Sequence, residues 1–326
     1  MLYKKSAAKE YARANMRGVW AAIPYPFDAN GEIDEAETRR NVRYYVDQIK
    51  IDGIFCGGLV GECWALTMEE RLRGQQIVIS EVAGRVPVIA HAGAQSIRDT
   101  LKIAQHAQDL GAPYVVVVNP PLNPHQPAQV KDFFKAVCGD LDIGVSLFNA
   151  KEAGWSLSPE LIAEIGEIEN IVSIKNPQDP DHLEKTRKLA GDRMLVFDPS
   201  EPRFLDNIIK YGDQCYMSSP APFLLQTPGQ LTMREYSALA WKGDIAGAKK
   251  VSATLDAKRE VLNKWIFGPW SVGELPISQI KACGELLGFF RGSRMRLPMR
   301  ALSAADMAQF GADIKQGGWP AQKIAA

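Results

Sequence analysis

The chain is poor in the features that mark a metalloprotein, a nucleic-acid binder or a membrane protein. Its five cysteines, Cys56, Cys63, Cys138, Cys215 and Cys283, are odd in number, widely spread, and form no CxxC pair of the kind zinc and redox sites use. They read as reduced thiols in a cytoplasmic protein. Of four histidines, His106, His125 and His182 fall in helix or loop contexts, and no spacing among the four suggests a metal site. Thirty-eight basic residues balance thirty-eight acidic ones, so no net field draws the chain to nucleic acid or to an anionic membrane. The longest apolar runs, such as YVVVV at 114–118, fall far short of the roughly 20 residues a membrane helix needs. The basic first fifteen residues lack the apolar core of a signal peptide. Also missing is a GxGxxG turn after the first strand-like run, the usual sign of a doubly wound dinucleotide-binding sheet.

What is present is an alternation. Eight short β-branched or aromatic runs recur: GVWAAIP from Gly18, DGIFCGG from Asp52, VPVIAHA from Val86, YVVVVN from Tyr114, IGVSLFN from Ile143, IVSIKN from Ile171, MLVFDP from Met194 and CYMSS from Cys215. Each is followed by an amphipathic stretch rich in Ala, Glu, Lys and Leu, which is how parallel strands alternating with helices are written. Eight such units close a (β/α)8 TIM barrel, an α/β fold without sheet edges. Beyond Pro228 the alternation stops, and helical patterns follow at 232–241, 244–265 and 276–289. The expected organisation is therefore an N-terminal extension over residues 1–16, a barrel over 17–230, and a last barrel helix with a C-terminal helical extension over 231–326.

In a barrel, chemistry sits where the strands end. Those ends carry Tyr25, Gly57 to Glu62, His91, Asn119, Phe148 with Asn149, Lys175 with Asn176, Asp198, and Ser218 with Ser219. A lysine closing the apolar run Ile171 to Ile174 is partly desolvated, which lowers its pKa toward the neutral amine a nucleophile needs. Glycines after the second strand let backbone N–H groups turn toward an anion, so Gly58, Leu59, Val60 and Gly61 are expected to hold a substrate carboxylate. His91 is a candidate general base. The segment LTMEE reads as a helix-capping box, with Thr67 at the cap and Glu70 three residues on.

The stretches GVWAAIPYPFDANGEID, GGLVGECWALTMEER, NPPLNP, LFN, SIKNP and RLPM, in that order, resemble the dihydrodipicolinate synthase and N-acetylneuraminate lyase family over about residues 17 to 300. The resemblance implies that Lys175 is a Schiff-base lysine acting on a 2-oxo acid, that no metal or organic cofactor is needed, and that the chain is a homo-oligomer, a tetramer or dimer. It also exposes departures. Where the family carries two threonines in the glycine loop, this chain has Leu59 and Val60. Where it carries a proton-transferring tyrosine, this chain has Phe148; the carboxylate-binding arginine shortly after is absent, and Pro120, Pro121 and Leu122 replace another tyrosine. Dihydrodipicolinate synthesis itself is therefore not expected.

The wording GEC, LT and EE is similar to the hydratase-aldolase branch, which cleaves benzylidenepyruvates to an aldehyde and pyruvate. A pocket of Tyr25, Leu59, Val60, Trp64, Leu122, Phe148 and Trp155 would suit such an aromatic substrate. Phe148, Asn149 and Ser218 are then expected to contact it, with His91, Tyr25, Ser218 or a water replacing the missing tyrosine. The alternatives are a dehydratase or decarboxylase using the same imine, and a barrel that only binds a keto acid.

Overall fold

The computed structural model describes residues 2–119, 125–218 and 220–320, so the expectations for Pro120, Pro121, Leu122 and Ser219 lie outside the described residues. Each of the eight expected runs forms a strand: β1 Gly18–Ala22, β2 Gly53–Cys56, β3 Val88–His91, β4 Tyr114–Val118, β5 Gly144–Phe148, β6 Ile171–Lys175, β7 Leu195–Phe197 and β8 Cys215–Ser218. All pairings are parallel, and the hydrogen-bonded order runs β7-β6-β5-β4-β3-β2-β1-β8. The strands thus form a nearly closed (β/α)8 barrel, with β7 and β8 in contact at the seam. Alternate strand residues face inward, where Trp20, Phe55, Ile89, Tyr114, Phe148 and Met217 form one buried cluster. The other parity packs against the surrounding helices in a second, larger cluster.

The capping box is present as read: Thr67 accepts from the Glu70 amide and the Glu70 side chain accepts from the Thr67 amide, starting the helix Met68–Val82. Beyond the barrel the pattern at 232–241 is the helix Thr232–Trp241, and the later patterns yield the helices Ile245–Ala253, Asp256–Leu262 and Ile277–Leu286. A further helix, Ala304–Gln316, falls in the expected C-terminal helical extension, outside the three patterns that marked it.

No helix was anticipated before β1. Ala8–Asn15 closes the bottom of the barrel, burying Ala8, Ala12 and Met16 in the interior cluster, with Tyr3 and Tyr11 stacked beside Tyr114. The basic residues of this helix and of the turn Lys5–Ala7 before it fall one turn apart, and each finds the carbonyl end of a different barrel helix. Lys5 donates to Gly139 at 3.0 Å, Lys9 to Gly166 at 2.6 Å, and Arg13 to Asp192. The basic N-terminus is a cap for helix carbonyls, which periodicity alone does not reveal.

Candidate active site at the mouth of the barrel

The ladder register decides which side chains meet. Lys175 closes β6 opposite Phe148 of β5 and Phe197 of β7, and His91 closes β3 opposite Val116. Phe148, Phe197 and Val116 all belong to the interior cluster, so the lysine and the imidazole share that face. Lys175 is 7% exposed. Its Nζ lies 4.5 Å from the centroid of the Phe148 ring and 5.6 Å from that of Phe55, and among the described residues no carboxylate is paired with it. Burial lowers its pKa to about 8, opposed by the longer-range attraction of Glu152. At pH 7 about a tenth of such a group is the neutral amine.

A cavity of about 400 Å3 opens against Phe148, the ring that Lys175 faces, with Leu59, Cys63, Trp64, Arg71, His91, Val118 and Glu152 also in its walls. Apolar Leu59, Trp64, Val118 and Phe148 share its walls with Arg71, His91 and Glu152. Arg71 Nη2 donates to His91 Nδ1 at 3.1 Å and to the Gly93 carbonyl at 2.8 Å. A guanidinium only donates, so this contact assigns the imidazole hydrogen to Nε2. Burial, with Arg71 and Lys175 nearby, pushes the His91 pKa down to about 3. The ring is therefore a neutral hydrogen-bond donor and a weak proton acceptor, which suits it poorly to the role of general base. Glu152 sits on the turn Lys151–Ala153 after β5, and its Oε1 accepts from Trp270 Nε1 at 2.9 Å. The C-terminal extension thus reaches back to orient a carboxylate at the cavity.

The glycine loop is a tight turn over Leu59–Gly61, entered through the positive φ of Gly57 and left through that of Glu62. Its internal bonds run from the Gly61, Glu62 and Cys63 amides to the Gly58 and Leu59 carbonyls, so the first amides, those of Leu59 and Val60, fall outside that pattern. The glycines also make room: a Cβ on Gly58 would collide with the Phe55 ring, and one on Gly61 or Gly74 would press on Tyr25. Leu59 lines the cavity, whereas Val60 is 4% exposed and packs outward among the helices.

Three other expected site residues stand apart from the cavity. Tyr25 is fully buried beneath the glycine loop, its hydroxyl beside Cys56 and Gly74, and burial raises its pKa well above the ordinary phenol value. Asn149 is consumed by structure: its amide donates to the Leu157 carbonyl and to Asn176 Oδ1, while its oxygen accepts from the Leu157 amide. Ser218 lies on the outward parity of β8 with Tyr216, to whose hydroxyl it is bonded. Trp155 stacks on His125 at 4.2 Å. Glu62 is wholly buried, 2.5 Å from Lys281 and accepting from the Arg296 amide at 3.0 Å. Arg71 and Glu152 were missed in the sequence. Arg71 is the fourth residue after the Thr67 cap, a position from which a helix following β2 can point back to the barrel mouth.

Comparison with known proteins agrees with this architecture. A family model described as the dihydrodipicolinate synthetase family matches residues 15–317. The chain is 28% identical to a 4-hydroxy-tetrahydrodipicolinate synthase of Pelobacter propionicus over 93% of this chain and 99% of that one. It is 27% identical to an N-acetylneuraminate lyase of Clostridium perfringens over 77% of this chain and 86% of that one. Among solved structures, dihydrodipicolinate synthase from Thermotoga maritima superimposes with a TM-score of 0.79 at 26% identity, covering 93% of this chain and 98% of that one. A prophage protein of Escherichia coli K12, solved in complex with pyruvate, superimposes with a TM-score of 0.81 at 23% identity, covering 92% and 98%, a likeness of fold. With the family model spanning the barrel and most of its extension, the chain belongs to the dihydrodipicolinate synthetase family and is a lyase of the class I aldolase type.

Proposed function

We propose that Lys175 forms an imine with the ketone of a 2-oxo acid, and that the enzyme uses it as a hydratase-aldolase on an aromatic, benzylidenepyruvate-like substrate. The observation that carries the reading is the lysine itself: buried at the end of β6, without a carboxylate partner among the described residues, and with its pKa lowered to about 8. Neutral Nζ attacks the ketone carbon, and loss of water leaves an iminium that withdraws electrons from the adjoining carbons. Water adds across the conjugated double bond at the carbon bearing the aromatic ring. After protonation of the resulting enamine, the bond between the two carbons breaks as the new hydroxyl loses its proton, releasing an aldehyde. Protonation and hydrolysis of the remaining enamine return pyruvate and free lysine.

Each step needs a group that takes and returns a proton, and Phe148 stands where the family resemblance puts a tyrosine. Glu152 supplies a carboxylate in the wall of the same cavity, held by Trp270. The carboxylate of the 2-oxo acid is placed at the Leu59 and Val60 amides, and neutral His91 donates through Nε2 to oxygen that gains charge. Leu59, Trp64, Val118 and Phe148 give an aromatic ring a surface on which to pack.

The test is to incubate the protein with pyruvate, reduce with borohydride, and locate the adduct by peptide mass spectrometry. A covalent adduct on the peptide bearing Lys175, absent from Lys175→Ala, is the expected result. No adduct with pyruvate or with a panel of aromatic 2-oxo acids refutes the imine. Because Phe148 removes the phenol, the same imine also fits a hydro-lyase reaction without carbon–carbon cleavage. Release of an aldehyde together with pyruvate separates the two.

A further inference from the structure

We propose that Arg71 is a positioning residue that acts through His91, holding the imidazole as a neutral Nε2–H donor to the ketone oxygen of the 2-oxo acid. This role rests on the imine reading of Lys175 and names the step at which His91 works.

Two residues one turn apart on the helix Met68–Val82 take hold of His91. Gln75 Nε2 donates to the His91 carbonyl at 3.2 Å, and Arg71 Nη2 donates to the ring at Nδ1, 3.1 Å away. The other Nη2 hydrogen goes to the Gly93 carbonyl at 2.8 Å, so the ring is fixed to the backbone that leaves its own strand. Gln75 is steadied in turn by His106, whose Nδ1 lies 3.2 Å from Gln75 Oε1. Nε2 is treated differently. Among the described residues it has no hydrogen-bond partner. A Cβ on Gly93 would stand 3.1 Å from it, and the glycine leaves that nitrogen uncovered in the cavity wall.

The ring is also close to the lysine. Phe55 neighbours both groups, its centroid 6.4 Å from that of the imidazole and 5.6 Å from Lys175 Nζ. The charges that act on His91 are those of Arg71, from the helix, and Lys175, from β6, while Cys63 and Glu152 are the other titratable groups described in the cavity wall. An iminium at Lys175 is permanently positive, so an imidazolium there would set three cations together. Arg71 prevents it: a guanidinium only donates, and a proton placed on Nδ1 would oppose one donor to another. As Nζ attacks, the C–N bond forms and the carbonyl π electrons move to oxygen. That oxygen takes a hydrogen bond from Nε2, with no transfer of the imidazole proton.

The experiment measures how fast pyruvate is trapped on Lys175 at saturating cyanoborohydride in the unaltered protein, Arg71→Met, His91→Leu and the double variant. His91→Leu is expected to slow trapping about 100-fold, the size of a lost oxyanion donor. Arg71→Met slows it about tenfold, as for one lost hydrogen bond, and Arg71→Lys recovers part of that. Added to His91→Leu, Arg71→Met costs nothing further. An arginine that touched the substrate or merely supported the fold would add its own loss in the double variant, and additive losses overturn the proposal. Nitrogen-15 NMR of histidine-labelled protein gives a readout independent of rate, with His91 assigned by its absence from His91→Leu. The unaltered protein should hold the Nε2–H form from about pH 5 to about pH 8, and Arg71→Met should show mixed tautomers or a titrating ring. An unchanged Nε2–H form in Arg71→Met also overturns it. If the adduct forms equally fast with and without His91, this inference fails and the imine reading stands. If the unaltered protein forms no adduct, both fall.

Discussion

Two lysines in this barrel are buried to a similar degree, and burial lowers the pKa of both to about 8, yet their surroundings are opposite. Lys281, on the helix Ile277–Leu286, is held by Glu62 at 2.5 Å, by the Arg294 carbonyl at 3.0 Å and against the face of Phe27 at 4.2 Å. Lys175 has the rings of Phe148 and Phe55 and, among the described residues, no partner of opposite charge in contact. A displaced pKa therefore does not make a nucleophile. What separates the two is whether the ammonium's hydrogens are already committed: Lys281 gives its own to Glu62 and the Arg294 carbonyl, whereas Lys175 faces aromatic rings, one of which, Phe148, lines the cavity.

The contrast is sharpest in substitution. Lys281→Met strands the Glu62 carboxylate in the interior with the Arg296 amide as its remaining partner, and it is expected to lower unfolding free energy by about 3–5 kcal/mol, read by denaturant titration. Lys175→Met is expected to raise it by about 3 kcal/mol at pH 7, the equivalent of a pKa lowered from 10.5 to about 8. The sign follows from proton counting: below pH 8 the folded state carries a charge it holds poorly, and the disadvantage disappears as pH rises past the unfolded value. The gain should accordingly vanish above about pH 10.5. Equal effects of the two substitutions would erase the distinction drawn here. The smallest effect is on rate. Borohydride trapping with pyruvate should speed up about tenfold between pH 7 and pH 9 as neutral Lys175 accumulates, and a flat profile would show that the amine is not the titrating group.

The strands and the buried lysine at the end of β6 were legible because they are local statements. A run such as IVSIKN carries its own period, and the lysine that ends it needs no distant residue to be noticed. The parity of loop residues was not legible. Leu59 and Val60 are neighbours, and nothing in their order says that one faces the cavity and the other the helices. Asn149 looked like a substrate contact at a strand end, but its amide closes a network with Asn176 and Leu157. Contacts across long sequence separations were invisible in principle: Glu62 and Lys281 are 219 positions apart, and Trp270 meets Glu152 across 118. Arg71 lay inside a stretch read for its cap, where the capping box accounted for the pattern and the fourth residue drew no notice.

The helix that closes the bottom of the barrel acts on the one joint where the hoop has no stitching. β7 and β8 end the hydrogen-bonded order, so the ring is drawn shut there by packing. The helix Ala8–Asn15 reaches both sides of that joint. Arg13 holds the Asp192 carbonyl just before β7, while the Gln214 side chain, just before β8, donates to the carbonyls of Arg13 and Met16. The first residues of the chain therefore work as a clasp: tension applied at the N-terminus would unfasten the hoop at its seam before it strained any ladder.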